Sequence, residues 1–123
     1  MRAVCVVDDD DGVRDSMRAL LESHGFAVID FNSAASFLAG VQGETFECLL
    51  LDLHMPGMSG LELQELLQRR GSHVPAILIT GRNDSPLAGR IARAGFAALL
   101  QKPVSDERLL LEIRRACSSK LAG

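Results

Sequence analysis

An α/β chain built as a doubly wound parallel sheet is predicted by three observations. Four short apolar runs each stop at a polar side chain: Ala3 to Val7 before Asp8, Cys48 to Leu51 before Asp52, Ala76 to Ile79 before Thr80, and Leu99 to Gln101 before Lys102. Segments with apolar residues at helical spacing separate the runs, and the connections are short. If the runs are parallel strands, all four polar groups share one sheet edge, which is where open α/β sheets hold their ligands.

The elements follow in order. After Asp8, the apolar positions Val13, Met17, Leu20 and Leu21 mark a first helix that ends at Gly25. A second strand, Ala27 to Phe31, comes next. Ser33 caps a short helix carrying Phe37, Leu38 and Val41, ended by Gly43. The strand into Asp52 leads to the loop Met55-Pro56-Gly57-Met58-Ser59-Gly60, and Leu61, Leu63, Leu66 and Leu67 mark a third helix that ends near Gly71. Beyond Thr80, Asp84 and Ser85 before Pro86 signal a helix start, with Ile91 and Ala94 as a weak apolar face and Gly95 as its end. After Lys102-Pro103, Ser105 caps a last helix with Asp106 and Glu107 in its first turn. Its inward residues are Leu109, Leu110, Ile113 and Cys117, and Arg114, Arg115 and Lys120 suit its far end. Five strands alternating with five helices make a right-handed, doubly wound single domain.

The bulk properties exclude several functions. At 123 residues the chain is one domain able to bury roughly two-thirds of its unfolded surface. A net charge of −3, with 13 basic and 16 acidic residues interleaved, offers no basic face for nucleic acid. No apolar stretch approaches the roughly 20 residues needed to span a bilayer, and the chain opens on a strand rather than a leader, so a cytoplasmic protein is expected. Cys5, Cys48 and Cys117 lack metal-ligand spacing and read as inert thiols. His24, His54 and His73 likewise share no ligand spacing, which argues against zinc.

The chemistry concentrates at the strand ends. Asp10 and Asp11 are explained as acids at a helix N-terminus. Asp8 and Asp9 beside Asp52 are not, because two carboxylates ~4 Å apart repel by about 4 kcal/mol at an effective dielectric of 20. A divalent cation relieves that repulsion, and all-oxygen ligands with room for water and a phosphoryl oxygen point to Mg²⁺. Asp52 ends the most apolar run and is either a further metal ligand or, the better candidate, a nucleophile that forms an acyl phosphate. Thr80 either just ends a strand or offers its hydroxyl to a phosphoryl oxygen. Lys102, set between an apolar strand and Pro103, is placed to hold a point charge beside a phosphate. His54 follows Asp52 by two residues and is expected to hang over the site. Asp30 reads as surface charge. A dinucleotide site is excluded, since Asp-Asp-Asp-Asp-Gly stands where a G-x-G-x-x-G turn is required.

Asp8-Asp9, Asp52 with the loop Met55 to Gly60, Thr80-Gly81 and Lys102-Pro103 together resemble the receiver domain of two-component response regulators, over essentially residues 3–117. The resemblance implies a flavodoxin-like (βα)5 fold with strand order 2-1-3-4-5, residues 1–117 forming the receiver and 118–123 a tail or the start of a linker. It implies that a sensor histidine kinase phosphorylates Asp52. Mg²⁺ is then held by Asp9, Asp52 and the His54 backbone carbonyl, with Asp8 acting mainly through water, while Thr80 and Lys102 bind the phosphoryl group. A cis Lys102-Pro103 bond is implied too. The stretch Thr80 to Pro86 is similar to FixJ-like receivers, which implies an output domain beyond the C-terminus and a part in transcription regulation.

The chain departs from the family at Leu99, where an aromatic residue commonly stands, so the usual aromatic rotamer switch is not available. A self-association face is expected on the fourth helix, fifth strand and fifth helix, around Leu87, Ile91, Leu99 and Val104, strengthened by phosphorylation. Arg82 is expected to shield the acyl phosphate, and His54, for which the sequence offers no evident partner, to hinder water. The protein then catalyses only its own gain and loss of phosphate. The alternative is a small Mg²⁺-dependent phosphatase or phosphotransferase acting on an external substrate; a module that no longer takes phosphate ranks third.

Overall fold

A computed structural model describes residues 2–81 and 83–122, the last four as backbone only. Five strands, β1 (Ala3–Val7), β2 (Ala27–Phe31), β3 (Cys48–Asp52), β4 (Ala76–Thr80) and β5 (Ala98–Gln101), form one parallel sheet in the order β2-β1-β3-β4-β5. The helices are α1 (Asp11–Ser23), α2 (Ala34–Gly40), α3 (Gly60–Arg69), α4 (Ala88–Arg93) and α5 (Asp106–Ala122). A 3₁₀ turn, Ser85–Leu87, precedes α4. No helix among the described residues is long and apolar enough to cross a membrane.

Strand side chains alternate between two cores, because successive residues of a strand point to opposite faces. Cys5, Val7, Leu49, Leu51 and Leu78 pack with Phe37, Leu61, Leu63 and Ile91 from α2, α3 and α4. Val4, Val6, Leu50, Ile77 and Leu100 pack on the other face with Leu21, Leu109 and Ile113 from α1 and α5. Coverage of both faces explains why β1, β3 and β4 read as continuous apolar runs. Val104 belongs to this second core, so it lies on the α1 and α5 side and not, as expected from sequence, beside α4.

Side-chain caps set the helix starts. Asp10 accepts the Val13 N–H (3.1 Å), Ser33 accepts that of Ser36 (3.0 Å) and Ser105 accepts that of Arg108 (3.2 Å). Ser59 and Glu62 form a reciprocal capping box, which fixes where α3 begins after the loop that follows Asp52. At the other end of the chain, α5 continues through Ala122, where the sequence suggested a tail from residue 118. No glycine or proline interrupts residues 118–122, so the hydrogen-bonded turns propagate.

Candidate functional site

The parallel register delivers the predicted residues to one edge. Val7 and Leu51 are paired neighbours, so the residues that follow them, Asp8 and Asp52, emerge side by side at the carboxyl ends of β1 and β3. Asp52 pairs with Ile79, which brings Thr80 to the adjoining position on β4, and Thr80 pairs with Gln101, the residue before Lys102. The Lys102-Pro103 bond is cis, in agreement with expectation. Thr80 is half-buried at the rim.

Asp8 and Asp52 are buried, at 2% and 4% exposure, whereas Asp9 is exposed. Oxygen atoms from the three carboxylates lie within 4.8 Å of one another. Lys102 Nζ stands 3.3 Å from Asp52 Oδ1. That contact is an ion pair without hydrogen-bond alignment, and Asp52 Oδ1 and Asp8 Oδ2 are buried oxygens that accept no aligned hydrogen bond. Burial pushes both carboxyls above the ordinary carboxylate range. At Asp8 the Asp10 amide opposes this rise, while Asp52 and Asp9 add to it. At Asp52 the opposing group is chiefly Lys102, with a smaller effect of the His54 amide, and Asp9 adds to the rise. Two buried acids with oxygens that accept no aligned hydrogen bond, a third acid beside them and one lysine suit a cation and an anionic oxygen bound together. Hard oxygen donors at this spacing fit a divalent ion such as Mg²⁺, with Asp8, Asp9 and Asp52 as its carboxylates.

Gly60 determines how closely α3 approaches this edge. A Cβ there would meet the Asp52 carbonyl oxygen at 2.4 Å and Leu51 Cβ at 3.2 Å, so only glycine allows the first residue of α3 to sit against the backbone of the acceptor strand.

Four features were not foreseen. His54 has a partner after all: its Nε2 lies 2.7 Å from Asp84 Oδ1, and Asp84 Oδ2 accepts the Gly81 N–H. The Asp84 side chain therefore does not cap the 3₁₀ turn, as its position before Ser85-Pro86 suggested. Asp30 is more than surface charge, since it faces Arg18 at 3.4 Å and Arg14 at 3.9 Å. Arg14, unremarked in the sequence, donates to the Asp8 carbonyl oxygen (2.8 Å); the available signal was a basic residue one turn into a helix that opens on acids. Arg82, expected to shield a phosphoryl group, lies outside the described residues.

Five parallel strands in this order, with carboxylates, a hydroxyl and a lysine at their carboxyl ends, define an α/β module with an acidic site along one sheet edge. The chain belongs to the response regulator receiver domain family, whose pattern matches residues 4–114. It is 46% identical over 112 residues to the transcriptional regulatory protein FixJ of Azorhizobium caulinodans, covering 90% of this chain and 53% of that protein. To the response regulator protein TodT of Pseudomonas putida it is 39% identical over 113 residues, 92% of this chain and 50% of that one. Among solved structures, the response regulator StyR superposes with a TM-score of 0.87 at 42% identity, covering 95% of this chain and 59% of that one. FixJ-N superposes at 0.86 with 37% identity, covering 96% and 94%. The chain thus spans about half the length of the curated relatives it matches. It is a receiver domain of the FixJ and TodT type, and the alternative of a phosphatase acting on an external substrate has no support.

Proposed function

We propose that Asp52 accepts a phosphoryl group from a sensor histidine kinase and that the phosphorylated domain controls an output domain or partner. An oxygen of the Asp52 carboxylate attacks phosphorus, the bond to the donor breaks, and the donor leaves with that electron pair. Asp9, Asp52 and the His54 carbonyl would hold Mg²⁺, with Asp8 acting mainly through water; the ion would offset the negative charge of the incoming oxygens. Lys102 faces those oxygens as a point charge, and Thr80 supplies a hydroxyl from β4. The observation that carries the reading is the Asp52 carboxylate itself: buried, one oxygen without an aligned hydrogen bond, and Lys102 at 3.3 Å.

In this reading residues 1–117 are the receiver and 118–123 a tail or the start of a linker into which α5 continues as far as Ala122, catalysis is confined to the domain's own phosphate, and the location is cytoplasmic. Relatives about twice as long that are named transcriptional regulators support an output domain and a part in transcription regulation, with no direct nucleic-acid contact by this module. The test is incubation with acetyl phosphate and Mg²⁺, followed by intact-mass spectrometry. One added phosphoryl group is expected on the parent and none on Asp52→Asn. Equal labelling of both would overturn the assignment.

A further inference from the structure

Asp8 is held at nearly every polar atom. Its N–H donates to the Phe31 carbonyl oxygen (3.2 Å), its Oδ1 accepts the Asp10 N–H (2.9 Å), and its carbonyl oxygen accepts Arg14 Nη1 (2.8 Å). Oδ2 alone is left without a partner. Arg14 makes its contact from the first turns of α1, with a side chain only 14% exposed. Its Nη2 ion-pairs with Asp11 and its Nε faces Asp30 Oδ2 at 3.9 Å. One planar guanidinium therefore ties the end of β1 to the first turn of α1 and to β2.

The carbonyl that Arg14 grips belongs to the peptide joining Asp8 to Asp9. Because a peptide is planar, fixing the direction of its carbonyl also fixes the amide of Asp9 and restricts how both Cβ atoms can face Asp52. We propose that Arg14 is a positioning residue for the cation site, setting the spacing of the Asp8 and Asp9 carboxylates without touching the ion. The inference rests on the reading of Asp8, Asp9 and Asp52 as a Mg²⁺ site.

A competing effect has the opposite sign, since a fixed positive charge repels a cation. Here Asp11 and Asp30 face the guanidinium and offset its charge. Repulsion is the smaller effect, and positioning decides the outcome. If charge alone mattered, Arg14→Met would bind Mg²⁺ more tightly than the parent. Positioning makes it bind more weakly. Arg14→Lys keeps the charge but loses the planar fork, so it should fail to restore the parent's affinity.

The experiment is calorimetric titration of Mg²⁺ into the parent, Arg14→Met, Arg14→Lys and Asp9→Asn, with thermal melting of each in EDTA. The expected result is a loss of affinity of about tenfold in both Arg14 variants, the scale seen when groups orienting metal ligands are removed. A purely structural role would lower the melting temperature and leave the affinity of the folded protein unchanged; that outcome overturns the proposal, as does tighter binding by Arg14→Met. Should Arg14→Met fail to fold, Arg14→Lys carries the comparison. Parent protein that binds no Mg²⁺ would overturn the cation site itself, a result distinct from parental binding that the Arg14 variants leave unaltered.

Discussion

His54 Nε2 lies 2.7 Å from Asp84 Oδ1, joining the loop after β3 to the loop after β4. A carboxylate offers only acceptors, so Nε2 carries the proton in this bond. The imidazole is mostly exposed, at 63%, while the Asp84 side chain is 9% exposed and also holds the Gly81 amide. One buried carboxylate thus anchors both the His54 side chain and the peptide that follows Thr80.

This bond predicts unequal effects of its two partners. Removing the exposed ring in His54→Ala should cost less than about 1 kcal/mol, whereas Asp84→Ala also strands the Gly81 amide and should cost roughly 1–3 kcal/mol. Thermal or urea unfolding checks the order. In the phosphorylated protein, His54→Ala should shorten the lifetime of the acyl phosphate several-fold by opening a path for water, and Asp84→Ala should add little in that background. Decay followed by mass spectrometry in Mg²⁺ decides this, and an unchanged lifetime in His54→Ala would count against the covering role.

A second prediction concerns pH. Asp8 and Asp52 both have folded values raised above the ordinary 3.8, mainly by burial. The folded state therefore binds these protons more tightly than the unfolded chain, and the two groups make stability fall as pH rises from 3.8 through their raised values. The penalty is fully present above that window. Glu65, held below its ordinary 4.5 by its hydrogen bond to Arg90, acts in the opposite sense and loses its contribution as pH falls, so the comparison must be between parent and variant. In EDTA at pH 7, Asp8→Asn and Asp52→Asn should each melt a few degrees higher than the parent, a gain of about 1 kcal/mol, and show a flatter dependence between pH 4 and 7. Lys102 does not reverse the sign for Asp52, because its side chain is 48% exposed and its charge stays hydrated when the partner is lost. Added Mg²⁺ should narrow or invert the difference.

Gly60→Ala supplies the third. The added methyl group would stand 2.4 Å from the Asp52 carbonyl oxygen, and backbone offers no flexible end to move aside. A loss of roughly 1–3 kcal/mol is expected, together with slower uptake of phosphate, because α3 must retreat from the acceptor strand. Unfolding and labelling rates measured on one preparation check both. A variant as stable as the parent would show that the helix start shifts without strain.

The strand ends were legible because a parallel strand carries its own marker. An apolar run stops where its strand reaches the edge of the sheet, and Asp8, Asp52, Thr80 and Lys102 stand at those stops. The helix starts at Ser33 and Ser105 were legible for a similar local reason: a cap and the amide it accepts lie three residues apart. Contacts between elements left no such mark. His54 and Asp84 are 30 residues apart and meet only because β3 and β4 are neighbours, and Asp84 before Ser85-Pro86 has the look of a cap. Asp30 seemed idle for the same reason, since Arg14 and Arg18 reach it across the α1 and β2 interface. The side of the sheet taken by Val104 depends on the path of the loop after β5, which local pattern does not encode.

The last prediction concerns self-association. Leu99 on β5 and Leu111 on α5 are the large apolar side chains left exposed among the described residues, at 49% and 43%. Both lie on elements of the face formed by α4, β5 and α5. Burying two leucines of this size yields only a few kcal/mol, which suits a contact that forms when a switch adds to it rather than a permanent dimer. The rim is lined by Thr80 and Gly81, which border a cavity of about 290 Å³ shared with Ile91, Ala92 and Leu99, so movement of the hydroxyl toward a phosphoryl group can alter packing under this face. Phosphorylation should strengthen dimer formation by about 1–3 kcal/mol. Sedimentation equilibrium of parent, Leu99→Ser and Leu111→Ser, each with and without phosphate, measures the coupling. Each serine variant should lose most of the phosphate-dependent association while still taking up phosphate, and association unchanged by both substitutions would place the contact elsewhere on the domain.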